Sequence, residues 1–181
     1  MTAPPSEAAR EAAERLRRRI QGEIRLDPLA RVLYSTDASN HQVEPLAVAF
    51  PKVEDDLAAI MLTAAELGLP VLARGAGTSL AGQAVGRALI VDCSRHLKAV
   101  HELDPERRCA VVSPGTSLSA LNDAAKAHGL MFGPDPASGD RATLAGMIGN
   151  NASGARSVRY GMTADHIVAA DVILSDGSSA L

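Results

Sequence analysis

The chain has 181 residues, of which 46% are apolar and 22% charged. That composition excludes wholesale disorder and suits one domain or two closely joined subdomains. A formal charge of −3, with two Tyr, two Phe and no Trp, argues against a general nucleic-acid binder, which needs basic surface and stacking rings.

Ser6-Glu7-Ala8-Ala9-Arg10-Glu11 opens a polar helix expected over residues 6–21. Ser6 is its cap, Leu16 and Ile20 form its packing face, and Gly22 is its stop. Arg17–Arg19 share that helix with Glu7, Glu11 and Glu14 and read as a solvated ion-pair face. Leu46–Phe50 is a strand. Leu57, Ile60, Met61, Ala64 and Leu67 then fall at helical spacing over 54–67, behind an acidic first turn and ahead of Gly68 and Pro70. Pro70–Ala73 and Ala88–Asp92 follow as strands, giving a βαβ unit plus one strand. Ala99–Glu102 and Cys109–Ser113 flank the turn Asp104–Arg107 as a hairpin. Ser117–His128 is a helix closed by Gly129, and Val168–Leu174 is the last strand.

The longest apolar stretch, 57–73, is broken by Glu66, Gly68 and Pro70, so no transmembrane segment is expected. The N-terminus lacks the apolar core of a signal peptide. Cys93 and Cys109 form no CxxC pair, which excludes a disulfide scaffold, suits a reducing cytosol and leaves both thiols as buried packing. A cytoplasmic location follows as an expectation. His96 and His101 lack metal-ligand spacing, so no metal is expected. His128 suits a helix C-terminus, and His166 is given no catalytic role.

Thirteen of the 15 glycines fall in 68–86 and 115–161, which marks two regions of unhindered, close-approaching backbone. In the first, Arg74-Gly75-Ala76-Gly77-Thr78-Ser79-Leu80-Ala81-Gly82-Gln83 follows a strand directly. A dinucleotide GxGxxG would need glycine at Leu80, and a P-loop would need Lys and Ser or Thr where Gln83 and Ala84 stand. What remains is a loop of small residues whose N–H groups form an anion-binding nest, assisted by Thr78 and Ser79, or an ordinary tight connection. In the second region, two prolines stiffen Phe132–Gly139, and Thr143 caps a short helix leading to Asn150, Asn151 and Ser153. Those side chains either hydrogen-bond a heterocycle or close their own turns. Arg156 and Arg159 either neutralise a phosphate or solvate a loop.

The series RGAGTSLAGQ, VSPGTSL, FGPDPASG, TLAGMIGNNASG, YGMTADHIV and ILSDG resembles the FAD-binding domain of FAD-linked oxidases. The type is that of vanillyl-alcohol oxidase, and the branch is that of glycolate oxidase, D-lactate dehydrogenase and D-2-hydroxyglutarate dehydrogenase. The resemblance covers roughly residues 34–181, with 1–33 as a helical lead-in. It implies an α+β fold of two subdomains clasping an extended FAD, a small parallel βαβ subdomain plus a mainly antiparallel sheet with helices. By the same resemblance Arg74, Gly75, Ala76, Gly77, Thr78, Ser79 and Leu80, with Gln83, cradle the pyrophosphate. Pro134, Asp135 and Ser138 approach the flavin and ribityl region. Thr143, Gly146, Asn150, Gly154, Ser157 and Gly161 continue the groove, and Ile167 and Val168 meet the adenine through their backbone. Some family members attach flavin through a histidine of the first loop. Positions 74–83 hold none, so noncovalent FAD is implied.

Family members continue past this point into a substrate-binding cap and, in some, an iron–sulfur region. The sequence is therefore expected to be a fragment, truncated at its C-terminus and lacking catalytic acid–base groups. The implied function is the FAD-binding portion of an enzyme that oxidises a D-2-hydroxy acid by hydride transfer to flavin N5. The alternatives are a noncatalytic flavin- or nucleotide-binding subunit that assembles with a partner, and a phosphate-binding module without flavin.

Overall fold

A computed structural model describes residues 4–181. The first half is built on one four-stranded sheet. Its strands are β1 (Glu23–Arg25), β2 (Ala47–Phe50), β3 (Val71–Arg74) and β4 (Leu89–Asp92), in the order β1-β2-β4-β3. β2, β4 and β3 are parallel, and β1 joins β2 antiparallel with Ile24 opposite Ala49. Helix α1 (Glu7–Leu16) lies against α3 (Glu54–Glu66), while the short α2 (Pro28–Leu33) packs on β2. Every residue of β2 and β4 is buried, as expected for strands covered on both faces. Their side chains sort with the two-residue period of a strand. Ala47, Ala49, Leu89 and Val91 join Leu16 and Ile60 in one core, and Val48, Phe50 and Ile90 join Ala30 and Tyr34 in another.

The N-terminal helix is shorter than the expected 6–21. Ser6 caps it, its Oγ accepting from Ala9 N at 3.2 Å, but it stops at Leu16. The chain must turn there to enter β1, and Asp56 at the start of α3 captures the turning backbone. Its buried carboxylate accepts from the amides of Gln21, Gly22 and Lys52 at 2.8, 2.9 and 2.8 Å. That gives unpaired amides of the turn a charged acceptor, which stabilises the break.

In the second half, β5 (Val100–Asp104) and β6 (Cys109–Val112) form the expected hairpin, with Asp104 Oδ1 accepting from the amides of Glu106 and Arg107. Helix α4 (Leu118–Lys126) and the short α5 (Leu144–Gly149) are capped by Ser117 and Thr143. Leu118, Ala142, Leu144 and Met147 form a third core. Beyond it come α6 (Ser157–Tyr160), a 3₁₀ turn at Thr163–His166, and a hairpin of β7 (Val172–Ile173) with β8 (Ser179–Ala180).

Two expectations are corrected here. The strand expected over 168–174 is reduced to Val172–Ile173, because only these residues find a pairing partner in β8, and Val168 is 92% exposed. Cys109 is exposed rather than buried, since it stands at the open hairpin; Cys93, beside Asp92, is half-buried. Among the described residues no helix is long and apolar enough to cross a membrane.

Candidate functional site

Strands β3 and β4 are parallel neighbours, yet no helix joins them; residues 75–88 return along the sheet as a loop. Gly77 and Gly82 in that loop adopt φ of +68° and +79°, a region that costs other residues conformational energy. Among the described residues, none of the six consecutive backbone N–H groups from Gly75 to Leu80 donates to another protein group. Backbone donors are rarely left unpaired. A run of free ones is a nest for an anion.

The side chains of the loop are arranged unevenly. The Arg74 guanidinium lies inside the loop against Gly77 and is held by backbone carbonyls of Tyr34, Thr36 and Ala84. The Ser79 hydroxyl bonds to Gln83 Oε1, which also accepts from Ala81 N at 3.3 Å. Leu80 is 81% exposed. The preceding segment braces the loop: Ala38 N donates to Gly77 O at 3.0 Å, and Ala84 N donates to Asp37 Oδ2 at 3.3 Å. The His41 ring lies directly on Gly82.

The two glycine-rich regions meet. A Cβ placed on Gly75 would lie 2.0 Å from Thr143 Oγ1, so only glycine permits this approach. Thr143 Oγ1 in turn accepts from Gly146 N at 3.3 Å and caps α5. The turn Pro114–Ser117 joins the same contact, with Leu144 N donating to Thr116 O at 2.9 Å and Ala145 N to Pro114 O at 3.2 Å. Beside it opens a cavity of about 300 Å³, lined by Ala76, Ser94 and Lys98 on one side and Ser117, Arg141 and Thr143 on the other. Neither Lys98 nor Arg141 is ion-paired among the described residues. Two uncommitted cations in a cavity that the free-amide row reaches at Ala76 suit a polyanionic ligand.

A second cavity of about 590 Å³ adjoins the first through Asp140 and is lined by Asn122, Asp135, Ala137, Ser153 and Gly154. Its wall is close-packed backbone. A Cβ on Gly154 would lie 2.1 Å from Pro134 O and 2.2 Å from Asp135 O. Asp135 sits at φ +54°, a costly conformation for a non-glycine residue, and Arg156 Nε approaches its carboxylate at 3.2 Å. Ser138 O accepts from the amides of Arg141 and Ala142.

The remaining sequence-derived positions lie off both cavities. Asn150 donates to Gly146 O at 3.0 Å, and Ser157 Oγ accepts from Gly154 N at 2.9 Å. Gly161 packs on the Asp165 carboxylate, Ile167 is half-buried and Val168 is exposed. Asn151 Oδ1 accepts from Ala164 N, tying the end of α5 to the 3₁₀ turn, and Arg159 lies over the Tyr160 ring. Sequence reasoning missed Ser94, Lys98, Arg141 and the bracing segment 34–41. Arg141 had a visible signal, standing between two motifs of the series; Lys98 and the brace had none, because the fold alone brings them to the loop.

Burial, reinforced by the hydrogen bond to Asp92, pushes the Tyr34 phenol well above its usual range. Burial likewise raises the Cys93 thiol to about 11, aided by the Asp92 charge. Both groups are neutral at physiological pH.

Residues 45–179 match the model of the family described as "FAD binding domain". The chain is 37% identical over 180 residues to D-2-hydroxyglutarate dehydrogenase of Pseudomonas putida, a match covering 97% of this chain and 18% of that protein. It is 33% identical over 149 residues to glycolate oxidase subunit GlcD of Bacillus subtilis, covering 81% of this chain and 32% of that subunit. The chain therefore spans less than a third of the length of these relatives. In structure it resembles substrate-bound p-cresol methylhydroxylase with TM-score 0.83 at 17% identity, covering 97% of this chain and 36% of that one. A diphosphate-bearing cofactor fits what the residues offer, an unpaired amide row and two free cations at the meeting point of two lobes. On the family match and that geometry, the chain belongs to the FAD-binding-domain family.

Proposed function

We propose that this chain is the FAD-binding portion of a flavin-dependent oxidoreductase acting on a D-2-hydroxy acid of the lactate, glycolate or 2-hydroxyglutarate class. The row of free amides at 75–80, facing the Thr143-capped start of α5, carries the reading. The names of the relatives, D-2-hydroxyglutarate dehydrogenase, glycolate oxidase subunit and D-lactate dehydrogenase, support the substrate class.

In this reading the amides from Gly75 to Leu80 bind the cofactor's diphosphate, with Lys98 and Arg141 adding charge from the two sides of the cavity. Each donor to a charged oxygen contributes roughly 1.5–3 kcal/mol. Asp135 lines the neighbouring cavity for the ribityl and flavin end, with Pro134 and Ser138 adjoining it in the same loop. Asn150, Gly154, Ser157 and Gly161 keep the backbone beneath that cavity in place, and Ile167 and Val168 offer main-chain contacts farther along. FAD when bound supplies N5 as the hydride acceptor for the α-carbon of the hydroxy acid. No residue of this chain is assigned a proton-transfer role; its part is to seat and orient the cofactor. Binding is noncovalent, a reading supported by the lack of histidine at 74–83.

The test is an FAD titration of the wild-type protein and of Gly77→Val. The purified wild type is expected to be yellow and to release its flavin into the supernatant on acid precipitation. Gly77→Val should bind FAD more than about tenfold more weakly, because a side chain at φ +68° would run into the Arg74 guanidinium. Unchanged affinity in that variant would remove the diphosphate from this loop, and flavin left in the pellet would overturn the noncovalent reading. For the substrate class, anaerobic D-lactate, D-2-hydroxyglutarate or glycolate should bleach the flavin of the full-length gene product, while L-lactate and L-2-hydroxyglutarate leave it oxidised.

A further inference from the structure

Arg74 stands at the mouth of the amide row, where a cation is expected to meet the ligand. Its geometry points elsewhere. Nη1 donates to Ala84 O at 2.9 Å and to Tyr34 O at 3.4 Å, and Nη2 donates to Thr36 O at 2.8 Å. The guanidinium lies over the Tyr34 ring, 5.0 Å from its centroid. It also faces Gly77, where a Cβ would approach Nη2 to 2.5 Å. Asp92 and Asp37 supply the nearby negative charge, and Asp92 is itself held by the Tyr34 hydroxyl.

The three carbonyls come from different places. Tyr34 and Thr36 belong to the bracing segment, and Ala84 lies at the far end of the loop. A planar fork of donors can hold all of them at once, which no other side chain does as well. The loop is thus wrapped around the side chain of the residue that precedes it, with Gly77 left bare to make room.

We propose that Arg74 is a positioning residue, an internal cation that templates the loop 75–84 and so aims its free amides, and that it contacts no phosphate itself. The assignment rests on the reading of this loop as the diphosphate seat. It differs from a direct phosphate contact in what a lysine can replace. An ammonium serves a phosphate as a point charge. Its three donors sit on one atom, so it does not reproduce the planar, two-nitrogen fork that reaches Tyr34 O, Thr36 O and Ala84 O from over the Tyr34 ring.

The experiment compares Arg74→Lys and Arg74→Met with wild type, in FAD-free protein and in FAD titrations. Amide hydrogen exchange is read at Ala38 and Ala84, whose N–H groups bond to Gly77 O and Asp37 Oδ2 across the braced loop. Both variants are expected to exchange at least about tenfold faster at these amides and to bind FAD at least about tenfold more weakly, the lysine variant no better than the methionine one. Near wild-type affinity in Arg74→Lys, with a loss only in Arg74→Met and slow exchange kept in both, would make Arg74 a direct charge contact and overturn the proposal. Wild-type behaviour of both variants would overturn it as well. If the variants do not fold, Gly77→Ala presses a methyl group on the guanidinium; faster exchange at Ala38 is then the expected result and unchanged exchange the contrary one. A wild-type protein that binds no FAD defeats the functional reading, while the exchange data still decide whether Arg74 holds the loop.

Discussion

Two glycines bring the halves of this molecule into contact, Gly75 against the Thr143 side chain and Gly115 against backbone. A Cβ there would stand 2.0 Å from Cys93 O and 2.6 Å from Leu97 O, while its own N–H donates to Leu97 O at 2.7 Å. Backbone on two sides cannot give way as a flexible side chain can. Gly115→Ala is expected to destabilise the protein by about 3 kcal/mol or more in urea unfolding. Gly68→Ala is the contrast. Its φ is +62° with nothing within 4 Å of the added Cβ, so only the conformational cost of roughly 1–2 kcal/mol applies. Similar losses at the two sites would show that close approach is not what Gly115 is for. The cysteines differ by the same logic of surroundings. With the Cys93 thiol raised to about 11 by burial and Cys109 exposed, iodoacetamide at pH 8 should modify Cys109 alone in the folded protein, since the thiolate is the reactive form. Intact mass should show one adduct when folded and two in denaturant; two in the folded protein would contradict the burial of Cys93.

At the scale of elements, legibility tracked length and periodicity. α3 could be read because its apolar positions repeat at helical spacing, and β2, β3 and β4 because they are short continuous apolar runs, with glycine or proline nearby. The three residues of β1, Glu23-Ile24-Arg25, carry no period at all, and only pairing with β2 makes them a strand. Helix α2 did have a signal that went unread. Asp27 followed by Pro28 is a cap and a first-turn proline, and Asp27 Oδ1 accepts from Ala30 N at 3.0 Å. The same carboxylate takes two hydrogen bonds from Arg25, at 2.7 and 2.9 Å. Arg25 foremost, then the Ala30 amide, hold Asp27 at about 2, below its ordinary 3.8. A depressed carboxylate contributes stability that is complete above the ordinary value and is lost as pH falls through the folded one. Wild type should therefore unfold at higher temperature than Asp27→Asn at pH 7, and the gap should close between about pH 4 and pH 2. Melting temperatures across that range check it, and a gap that persists below pH 2 would place the stabilisation elsewhere.

At the scale of the whole molecule, the site was half legible. The glycine distribution located both loops, because bare backbone is a property of composition. That they meet through Gly75 and Thr143, with Lys98 and Arg141 across the cavity, depends on the return of residues 75–88 along a parallel sheet, which no local pattern encodes. The cavity draws Ala76, Ser94 and Lys98 from one half of the chain and Ser117, Arg141 and Thr143 from the other, so a ligand there ties the halves together. A ligand that binds only the folded form stabilises it by about 2.7 kcal/mol at a hundred times its dissociation constant. Which part of FAD delivers that energy separates an amide nest from a merely apolar slot. ADP carries the diphosphate without the flavin, and riboflavin the reverse. If the free amides at 75–80 and the two cations are the anchor, the rise in melting temperature at equal ligand concentration should order FAD first, ADP second and riboflavin last. It should also shrink with added salt, which screens exposed charges such as Lys98 and Arg141. Riboflavin equal to or better than ADP would move the anchor to the Asp135–Gly154 cavity and leave the amide row unexplained.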